Sequence, residues 1–349
     1  MQKLHNTEDG RVLREKMLES DERRITISFY KYWNIPNPDF FRNYLFVHWD
    51  ELEVKGRTYV SSEGINAQIV VPNKNFEAFK EDLDKISFLE GIRLNIAIED
   101  DGKSFFKLKV KVRDKIVADG LNDDTFDVTK CGKHLKAEEF NELTDKDDTI
   151  LIDMRNHYES EVGYFEGAIC PDVDTFREEI DLVEDMLQGK EDQNIVMYCT
   201  GGIRCEKASA YLKHRGFKNV HQLEGGIIEY ARQTQNQDLA SKFVGKNFVF
   251  DERLGERISE EIIANCHQCG ESCDDHTNCA NDMCHLLFIQ CKSCAEKYDA
   301  CCSIECAEVT HLPEEEKITL RKGANYTQKD FHKGRSSHLP FAPKRDKMS

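Results

Sequence analysis

One stretch in the middle of the chain decides the fold: Ile195-Val196-Met197-Tyr198-Cys199-Thr200-Gly201-Gly202-Ile203-Arg204-Cys205, followed by Glu206-Lys207-Ala208-Ser209-Ala210-Tyr211-Leu212. The short apolar run that ends at Cys199 predicts a buried strand, and the segment after Cys205 predicts a helix. The two glycines between them allow a tight turn whose amides point inward. Because the positive end of the helix dipole lies behind these N–H groups, the junction predicts an anion cradle.

Cys199 stands at the lip of this cradle, where backbone amides and the nearby Arg204 charge favour the thiolate, the nucleophilic form of cysteine. The pattern predicts that Cys199 is catalytic, within an active-site loop formed by Thr200, Gly201, Gly202, Ile203 and Arg204. A small core cysteine at the end of a buried strand is the alternative interpretation. Cys205 is a candidate for a resolving thiol or for a buried structural cysteine.

Two further apolar runs flank this stretch and predict the rest of a parallel α/β domain. Ile150-Leu151-Ile152-Asp153-Met154-Arg155 predicts a buried strand that ends in charges, and Val220-His221-Gln222-Leu223-Glu224-Gly225-Gly226 predicts a strand that enters a glycine turn. Asp153 and Arg155 are candidates for substrate contact or for a structural ion pair behind the loop.

The order of these motifs is that of a known domain family. The order resembles that of the rhodanese (sulfurtransferase) domain. It consists of a strand, Asp-x-Arg, Glu159, Gly163 and Gly167-Ala168, followed by the strand-Cys-loop-helix unit and a final strand-Gly-Gly. In that family the first cysteine of the loop carries a persulfide that the loop amides hold. The resemblance implies this role for Cys199.

Length and composition set the frame for this site. At 349 residues the chain is expected to form two or three domains, and 39% hydrophobic residues suffice for ordinary cores. No apolar stretch approaches the roughly 20 residues of a membrane helix, and the N-terminus lacks the apolar core of a signal peptide. We therefore expect a cytoplasmic protein with no membrane contact, in which the fourteen cysteines are thiols, metal ligands or catalysts.

The first third of the chain predicts a βαββαβ order, typical of a ferredoxin-like or acylphosphatase-like sandwich with two helices on one face of an antiparallel sheet. Alternation marks strands at Ile25–Tyr32, Arg57–Ser61, Ala67–Val71 and Ile92–Ile98. An amphipathic helix is predicted from Asn37-Pro38 to about Val54, and a second contains Phe76, Phe79, Leu83 and Ile86. Such a fold hosts many functions and decides none.

A strip of positive charge follows this domain. Along residues 106–115 the apolar side chains alternate with basic ones, which are Lys107, Lys109, Lys111, Arg113 and Lys115. Lysine on an exposed edge strand discourages aggregation, which is one interpretation. The other is a phosphate-binding strip for RNA, because same-face residues of a strand are spaced roughly 6 to 7 Å apart.

The overall charge of −17 hides an uneven distribution. Residues 317–349 carry nine Lys or Arg and two Asp, a net +7, which leaves −24 on the remaining 316 residues. This basic end lacks apolar periodicity and predicts a flexible tail. Either RNA contact or simple solubilisation would suit it.

Ten cysteines crowd into the forty-one residues from Cys266 to Cys306. Two Cys-x-x-Cys knuckles, formed by Cys266, Cys269, Cys291 and Cys294, predict one tetrahedral zinc site. The others suffice for a second site, with His276 and His285 nearby; they are Cys273, Cys279, Cys284, Cys301, Cys302 and Cys306. Structural zinc is the prediction, an iron–sulfur cluster or redox dithiols are the alternatives, and the ligand pairing stays open.

Motifs along roughly residues 4–310 resemble one family as a whole. They are Thr26–Tyr32, Glu63–Gln68, Lys111–Asp114, Ile152–Asn156, Met197–Ala208, Gly245–Arg253 and the cysteine block. They look like the bacterial rhodanese-domain tRNA uridine hydroxylases, which convert the wobble uridine (position 34) of certain tRNAs to 5-hydroxyuridine in an oxygen-dependent reaction. The resemblance implies tRNA as partner, molecular oxygen as co-substrate and Cys199 as the active-site cysteine.

Three function classes remain open at this point. The first is a tRNA-modifying oxidoreductase, although the sequence shows no dinucleotide fingerprint for flavin or NAD and no clear two-His-one-carboxylate iron triad. The second is a sulfurtransferase that carries a persulfide on Cys199. The third is a non-catalytic zinc-containing adaptor, which the presence of Cys199 disfavours.

The predicted organisation is therefore a multidomain α/β and α+β chain. A ferredoxin/acylphosphatase-like domain (1–118) is followed by a linker (119–130) and a rhodanese-like parallel α/β domain (131–240). A connector (241–265), a cysteine-rich metal-binding module (266–310) and a flexible basic tail (311–349) complete it.

Overall fold

The computed structural model describes residues 4–121, 125–323 and 335–344. The first domain consists of α1 (Gly10–Glu19), β1 (Arg24–Tyr32), α2 (Pro38–Glu51), β2 (Lys55–Ser61), β3 (Gly64–Pro72), α3 (Phe76–Asp84), β4 (Asn95–Ile96) and β5 (Leu108–Val112). The sheet has the order β4-β1-β3-β2-β5, in which only the β2–β5 pair is parallel. The predicted βαββαβ sandwich is confirmed, with β5 added at its edge.

Alternation along the strands gives this sheet an apolar and a polar face. Ile27 and Phe29 of β1 point into the core, where they pack with Trp49 of α2 and Phe79 of α3. Thr26, Ser28 and Tyr30 point to the opposite face, since successive side chains of a strand alternate. The two helices cover only the apolar face, so the polar face is left for the middle domain.

Strand β4 is shorter than the predicted Ile92–Ile98. The N–H of Ala97 still donates to Thr26 across the sheet at 2.9 Å, but the N–H of Ile98 donates at 3.0 Å to the Glu256 carboxylate. A side chain from a distant part of the chain therefore ends the strand.

The middle domain is the predicted parallel α/β unit. Its elements are β6 (Lys133–Leu135), α4 (Ala137–Thr144), β7 (Thr149–Asp153), α5 (His157–Ser160), β8 (Gly163–Phe165), α6 (Phe176–Leu187), β9 (Asn194–Tyr198), α7 (Ile203–His214), β10 (Asn219–Leu223) and α8 (Gly226–Gln237). The parallel sheet has the order β6-β10-β9-β7. Ile195 and Met197 of β9 enter one core layer and Val196 and Tyr198 the other, which explains the continuous apolar run.

The last part of the chain packs against this domain. Its elements are β11 (Phe243–Asn247), β12 (Glu256–Arg257), β13 (His276–Asn278), β14 (Leu287–Ile289), α9 (Lys292–Lys297), α10 (Ile304–His311) and α11 (Glu314–Gly323). Strand β11 lies between β8 and β12. Tyr158 and Phe248 share a core with Cys266 and Ile289, so the cysteine module is anchored on α5. Across the described part of the chain, every helix is too short or too polar to cross a bilayer.

The structure differs from the flexible tail predicted over 311–349. Residues 314–323 form α11, whose first turn carries Glu314, Glu315 and Glu316, which suit the positive end of a helix dipole. Leu339 and Ala342 are buried against the cysteine module, and the N–H of Phe341 donates to the His267 carbonyl. The rest of the tail, 324–334 and 345–349, lies outside the described residues.

Candidate active site

Cys199 follows β9 directly, and its side chain is 1% exposed. The N–H of Gly202 donates to the Cys199 sulfur at 3.1 Å, as the predicted anion cradle requires. Gly202 has φ +100, a backbone conformation that strains residues with a Cβ, and a Cβ here would also lie 2.7 Å from the Tyr30 hydroxyl, so glycine is favoured. The N–H groups of Ile227 and Ile228 at the start of α8 donate to the Cys199 and Thr200 carbonyls and fix the loop from below.

The pKa of Cys199 is lowered from the ordinary 9.0 to about 6. Burial alone would raise this pKa, but the Cys205 thiol donates to the Cys199 sulfur, the Arg204 charge faces it, and the amides of both residues add to the effect. Cys199 is therefore largely thiolate at neutral pH. The pKa of Cys205 moves the opposite way, raised by burial and by its hydrogen bond to Cys199.

Arg204 is held by the carboxylate of Glu159, a residue of the rhodanese-like motif order for which the sequence indicated no role. Its Nη1 and Nη2 donate to Oε1 and Oε2 of Glu159 at 2.7 and 2.8 Å, and both side chains are buried. Glu159 also accepts from the N–H of Asn156 at 3.1 Å, as the N3 residue of a capping box on α5. The Asn-x-x-Glu spacing of residues 156–159 is the sequence pattern that marks this glutamate. That pattern indicates the start of a helix and does not by itself indicate a functional residue.

Asp153 and Arg155 form the structural ion pair, not a substrate contact. Two Arg155 nitrogens donate to the Asp153 carboxylate at 2.8 and 2.6 Å, and both side chains are fully buried. The hydroxyl of Tyr198 donates to the same carboxylate at 2.9 Å. The Asp153 carboxylate therefore ties the ends of β7 and β9 together through Tyr198.

A cavity of about 410 Å³ opens between the Cys199 loop and the polar face of the first domain. One wall is the loop with Cys199, Gly201 and Arg204, and the opposite wall comes from β1 to β4. The connector residues Val249 and Phe250 close a third side. This volume lies within the range of small-ligand pockets, and it places the thiolate against polar side chains.

The strand register aligns one polar row across this wall. Asn95 pairs with Ser28, Ser28 with Gln68, Gln68 with Arg57, and Arg57 with Lys109. Directly paired residues lie on the same face of the sheet, so these five side chains form one row. A parallel row runs through Tyr30, Asn66, Tyr59 and Lys111. Both rows start at the Cys199 loop and end at the edge strand that carries Lys109 and Lys111, which we call the basic edge. The rows arise from the pairing of the strands, so the sequence of each separate strand does not show them.

The basic edge itself keeps part of the predicted strip. Lys109, Lys111 and Arg113 are exposed, and the Arg113 guanidinium lies 5.7 Å from the Tyr59 ring centroid. Partial desolvation of the ammonium and the positive charges of Lys107 and Lys111 lower the pKa of Lys109. The Lys107 ammonium donates to the Glu8 carbonyl at 3.1 Å.

Lys115 stands apart from the other four basic residues. It lies beyond the end of β5, and its ammonium pairs with buried Asp119 at 2.6 Å. A cleft of about 260 Å³ lined by Lys107 and Lys109 shares Arg57, Phe105 and Phe250 with the cavity of Cys199. The basic edge and Cys199 are thus joined by continuous surface.

The structure gathers eight of the ten predicted metal-ligating cysteines into two groups. One consists of Cys266, Cys269, Cys291 and Cys294, and the other of Cys279, Cys284, Cys302 and Cys306. The sulfur atoms within each group all lie within 4.8 Å of one another, so each group could hold a metal ion. Cys273 and Cys301 belong to neither group.

Measured sulfur separations fit tetrahedral coordination. The Cys269–Cys291, Cys284–Cys302 and Cys302–Cys306 sulfurs are 3.6, 3.7 and 3.7 Å apart. A tetrahedron with metal–sulfur bonds of about 2.3 Å has edges of about 3.8 Å. The two groups alternate along the chain, because the cysteine pair 279/284 lies between the pairs 266/269 and 291/294 of the other group. A metal ion in each group would therefore hold segments on both sides of a segment that the other metal ion holds.

A smaller group includes Glu206 in the first turn of α7, directly after the Cys199 loop. Cys131, His134 and Glu206 bring three ligand atoms within 4.8 Å of one another. Its atoms already have partners, because His134 Nε2 lies 2.8 Å from Glu206 Oε1 and Tyr30 and Gln222 also donate to this carboxylate. The group is consistent with a hydrogen-bonded support for α7.

Comparison with known families agrees with this architecture. Residues 24–116 match the UPF0176 acylphosphatase like domain, residues 136–233 match the Rhodanese-like domain and residues 244–307 match the Rhodanase C-terminal family. The multidomain α/β and α+β fold predicted from the sequence is confirmed.

Relatives match nearly the whole chain. The tRNA uridine(34) hydroxylase of Photorhabdus laumondii is 58% identical over 333 residues, covering 95% of both chains. The protein of the same name from Pectobacterium carotovorum is 54% identical and covers 99% of both chains. That of Leptospira interrogans is 52% identical, covering 95% of this chain and 90% of its own. By this similarity along its length, the chain belongs to the tRNA uridine(34) hydroxylase family.

Proposed function

We propose that this protein hydroxylates the wobble uridine of tRNA at C5, with molecular oxygen as co-substrate, in the cytoplasm. The observation that carries the proposal is an acidified thiolate at Cys199 on the wall of a cavity of about 410 Å³ lined by polar side chains. The names of the relatives support uridine 34 of tRNA as the substrate.

Cys199 is the proposed nucleophile. Its thiolate adds to C6 of the uracil ring, and the electron pair released from the C5–C6 double bond makes C5 reactive toward the oxidant. The C5 carbanion takes up O2 as a hydroperoxide, and two electrons from an external thiol reductant reduce this group to the C5 hydroxyl and water, with the thiol oxidised to a disulfide. Loss of the C5 proton then restores the double bond and expels the thiolate. The N–H of Gly202, 3.1 Å from the sulfur, stabilises the thiolate before addition and on its release.

Arg204 positions the loop and supplies charge. Its ion pair with Glu159 keeps the guanidinium in place, and its charge is among the causes that lower the pKa of Cys199. The connector residue Phe250 lies beside it, with the ring centroid 5.9 Å from the Arg204 guanidinium. This apolar wall excludes water from the reacting atoms.

The basic edge is the proposed path of the RNA backbone. Lys109 and Lys111 suit phosphate contacts because they continue the two polar rows that begin at the Cys199 loop. Lys107 lines the adjoining cleft, and Arg113 follows directly after the strand, so we assign both to the same path. Lys115 was part of the predicted strip, and its ion pair with Asp119 favours a structural role.

We propose structural zinc for both cysteine groups, since thiolate sets with tetrahedral spacing are typical of zinc. Bound zinc would hold the module that packs Cys266 and Ile289 against Tyr158 and Phe248. The residue after Tyr158 is Glu159, so this module supports the carboxylate that orients Arg204.

A sulfurtransferase with a persulfide on Cys199 is the second candidate, because the Gly202 amide would hold a persulfide as well as a thiolate. One experiment separates the two. Total tRNA nucleosides are measured by mass spectrometry in a deletion strain that carries the wild type, Cys199→Ser or the control Cys131→Ser.

We expect 5-hydroxyuridine with the wild type and with Cys131→Ser, and none with Cys199→Ser. Normal modification by Cys199→Ser would overturn the catalytic role of this residue. Unchanged nucleosides in the deletion strain, together with thiosulfate-to-cyanide sulfur transfer by the pure protein, would favour the sulfurtransferase.

A further inference from the structure

We propose that Asn95 selects uracil by accepting a hydrogen bond from the N3–H of the base. The inference rests on the proposed function and assigns the recognition of the base to one side chain. Asn95 lies in β4, on the wall of the cavity that contains Cys199, and is 4% exposed.

The side-chain amide of Asn95 forms a hydrogen bond through its nitrogen but none through its oxygen. Its Nδ2 donates to the Gly201 carbonyl of the Cys199 loop at 3.4 Å. Its Oδ1 is buried and has no hydrogen-bond partner among residues 4–121, 125–323 and 335–344. A buried carbonyl oxygen without a donor is unfavourable, so such atoms are expected to meet a ligand or water.

The contact with Gly201 fixes the orientation of this amide. A carbonyl oxygen accepts but cannot donate, so the NH₂ end of Asn95 faces the loop and Oδ1 is the end left without a partner. The same contact places Asn95 beside the loop of the nucleophile, because Gly201 is two residues from Cys199. A base that meets Oδ1 is therefore close to the thiolate.

The chemistry of the pyrimidine edge favours uracil at this position. Uracil has an N3–H donor between its O2 and O4 acceptors, whereas cytosine has a lone pair on N3. Oδ1 of Asn95 complements the N3–H and repels that lone pair. Sites built around a hydrogen bond reject analogues that lack the matching group, because a buried polar atom is then left unpaired.

The neighbouring row residues complete the match. Ser28 and Gln68 follow Asn95 across the sheet and line the same cavity. A hydroxyl or a side-chain NH₂ group donates to O4 of uracil. Arg57, the next residue of the row, lies where this cavity meets the basic cleft, on the side of the ribose and phosphate.

The test measures uracil selectivity rather than activity alone. Wild type, Asn95→Ala and Asn95→Leu are assayed for kcat/KM on tRNA transcripts with U34, and for inhibition by the same transcripts with C34. Asn95→Leu keeps nearly the same side-chain shape. The control is Asn75→Ala, since Asn75 also donates to a backbone carbonyl, that of Leu52, and does not line the cavity.

We expect both Asn95 variants to lose about 10- to 100-fold in kcat/KM on U34. Inhibition by the C34 transcript should stay equal or become stronger, so the preference for U34 collapses, while Asn75→Ala behaves as wild type. The alkylation rate of Cys199 and the melting temperature report whether the loop is intact.

Two results would overturn the inference. One is an unchanged preference for U34 in both variants. The other is an equal loss of U34 and C34 binding together with slower alkylation of Cys199, which would make Asn95 a support of the loop. Failure of the wild type to hydroxylate any U34 transcript would instead overturn the proposed function itself.

Discussion

Arg204 of the Cys199 loop and Glu159 form a bidentate ion pair, with nitrogen–oxygen distances of 2.7 and 2.8 Å. The loop and α5 are 45 residues apart in the chain, and this pair joins them. Both side chains are buried, so neither charge is compensated by water. The pair therefore couples the position of the Arg204 charge to the stability of the domain.

Glu159→Gln should strongly destabilise the protein. Removing one charge of a buried pair leaves the other uncompensated, which costs about 3–5 kcal/mol. The measurement is chemical unfolding, and the matched control is Asp192→Asn, which breaks the exposed Lys218–Asp192 pair. We expect no measurable change in the control, and equal effects of the two variants would contradict the buried role of Glu159.

The reactivity of Cys199 should follow a pKa of about 6. The alkylation rate by iodoacetamide is expected to rise with pH and to reach a plateau above about pH 7, because only the thiolate reacts. Since folding lowers this pKa from 9.0, its contribution to stability is fully present above pH 9 and is lost as the pH falls through 6.

Cys205→Ala tests the cause of that shift. The Cys205 thiol donates to the Cys199 sulfur, so its removal should move the alkylation midpoint to higher pH. Mass spectrometry of the alkylated peptide separates the two cysteines. An unchanged midpoint in Cys205→Ala would show that the amides and Arg204 suffice.

Local patterns predicted the elements of this fold, and long-range pairing determined the rest. The apolar run that ends at Cys199 and the two glycines after it determine their local backbone conformation. The strand, the loop and the helix could therefore be predicted from the sequence. Asn95 reaches Gly201 across 106 residues, and only the docking of two domains brings them together.

The metal groups show the same limit. The knuckle spacing of Cys266, Cys269, Cys291 and Cys294 predicted one group, but the second pairing depends on how β13, β14 and α10 fold around it. The predicted flexible tail differs for a related reason. The sequence around Leu339 and Ala342 shows no apolar periodicity. These two residues are buried because they pack against the apolar surface of the cysteine module.

Two metal ions per chain are expected by elemental analysis. Cys294→Ser should reduce this number, since it removes one thiolate of a set of four. Cys273→Ser is the matched control, because Cys273 is equally buried in the same module and belongs to neither group. Loss of metal from Cys273→Ser would contradict the ligand assignment.

Lys109→Ala and Lys111→Ala should each weaken tRNA binding and lower the slope of log Kd against log salt by about 1. Each variant removes one proposed phosphate contact from the exposed basic edge. The control is Lys218→Ala, an exposed lysine paired with Asp192 in the middle domain. Binding is measured by fluorescence titration at several salt concentrations, and an unchanged slope would remove the basic edge from the RNA path.

Gly226→Ala should impair catalysis by moving the Cys199 loop. A Cβ at Gly226 would lie 2.5 Å from the Cys199 carbonyl, 2.6 Å from that of Thr200 and 2.7 Å from the Gly201 nitrogen. Since these are backbone atoms, the loop must shift, and a misplacement of about 1 Å costs roughly 100-fold in rate.

Gly189→Ala separates this clash from backbone strain. Gly189 has φ +78, close to the +68 of Gly226, and an added Cβ would meet nothing within 4 Å. Both variants should lose about 1–2 kcal/mol of stability from the left-handed backbone. Only Gly226→Ala should lower kcat for 5-hydroxyuridine formation, and equal kcat values would show that the start of α8 does not position Cys199.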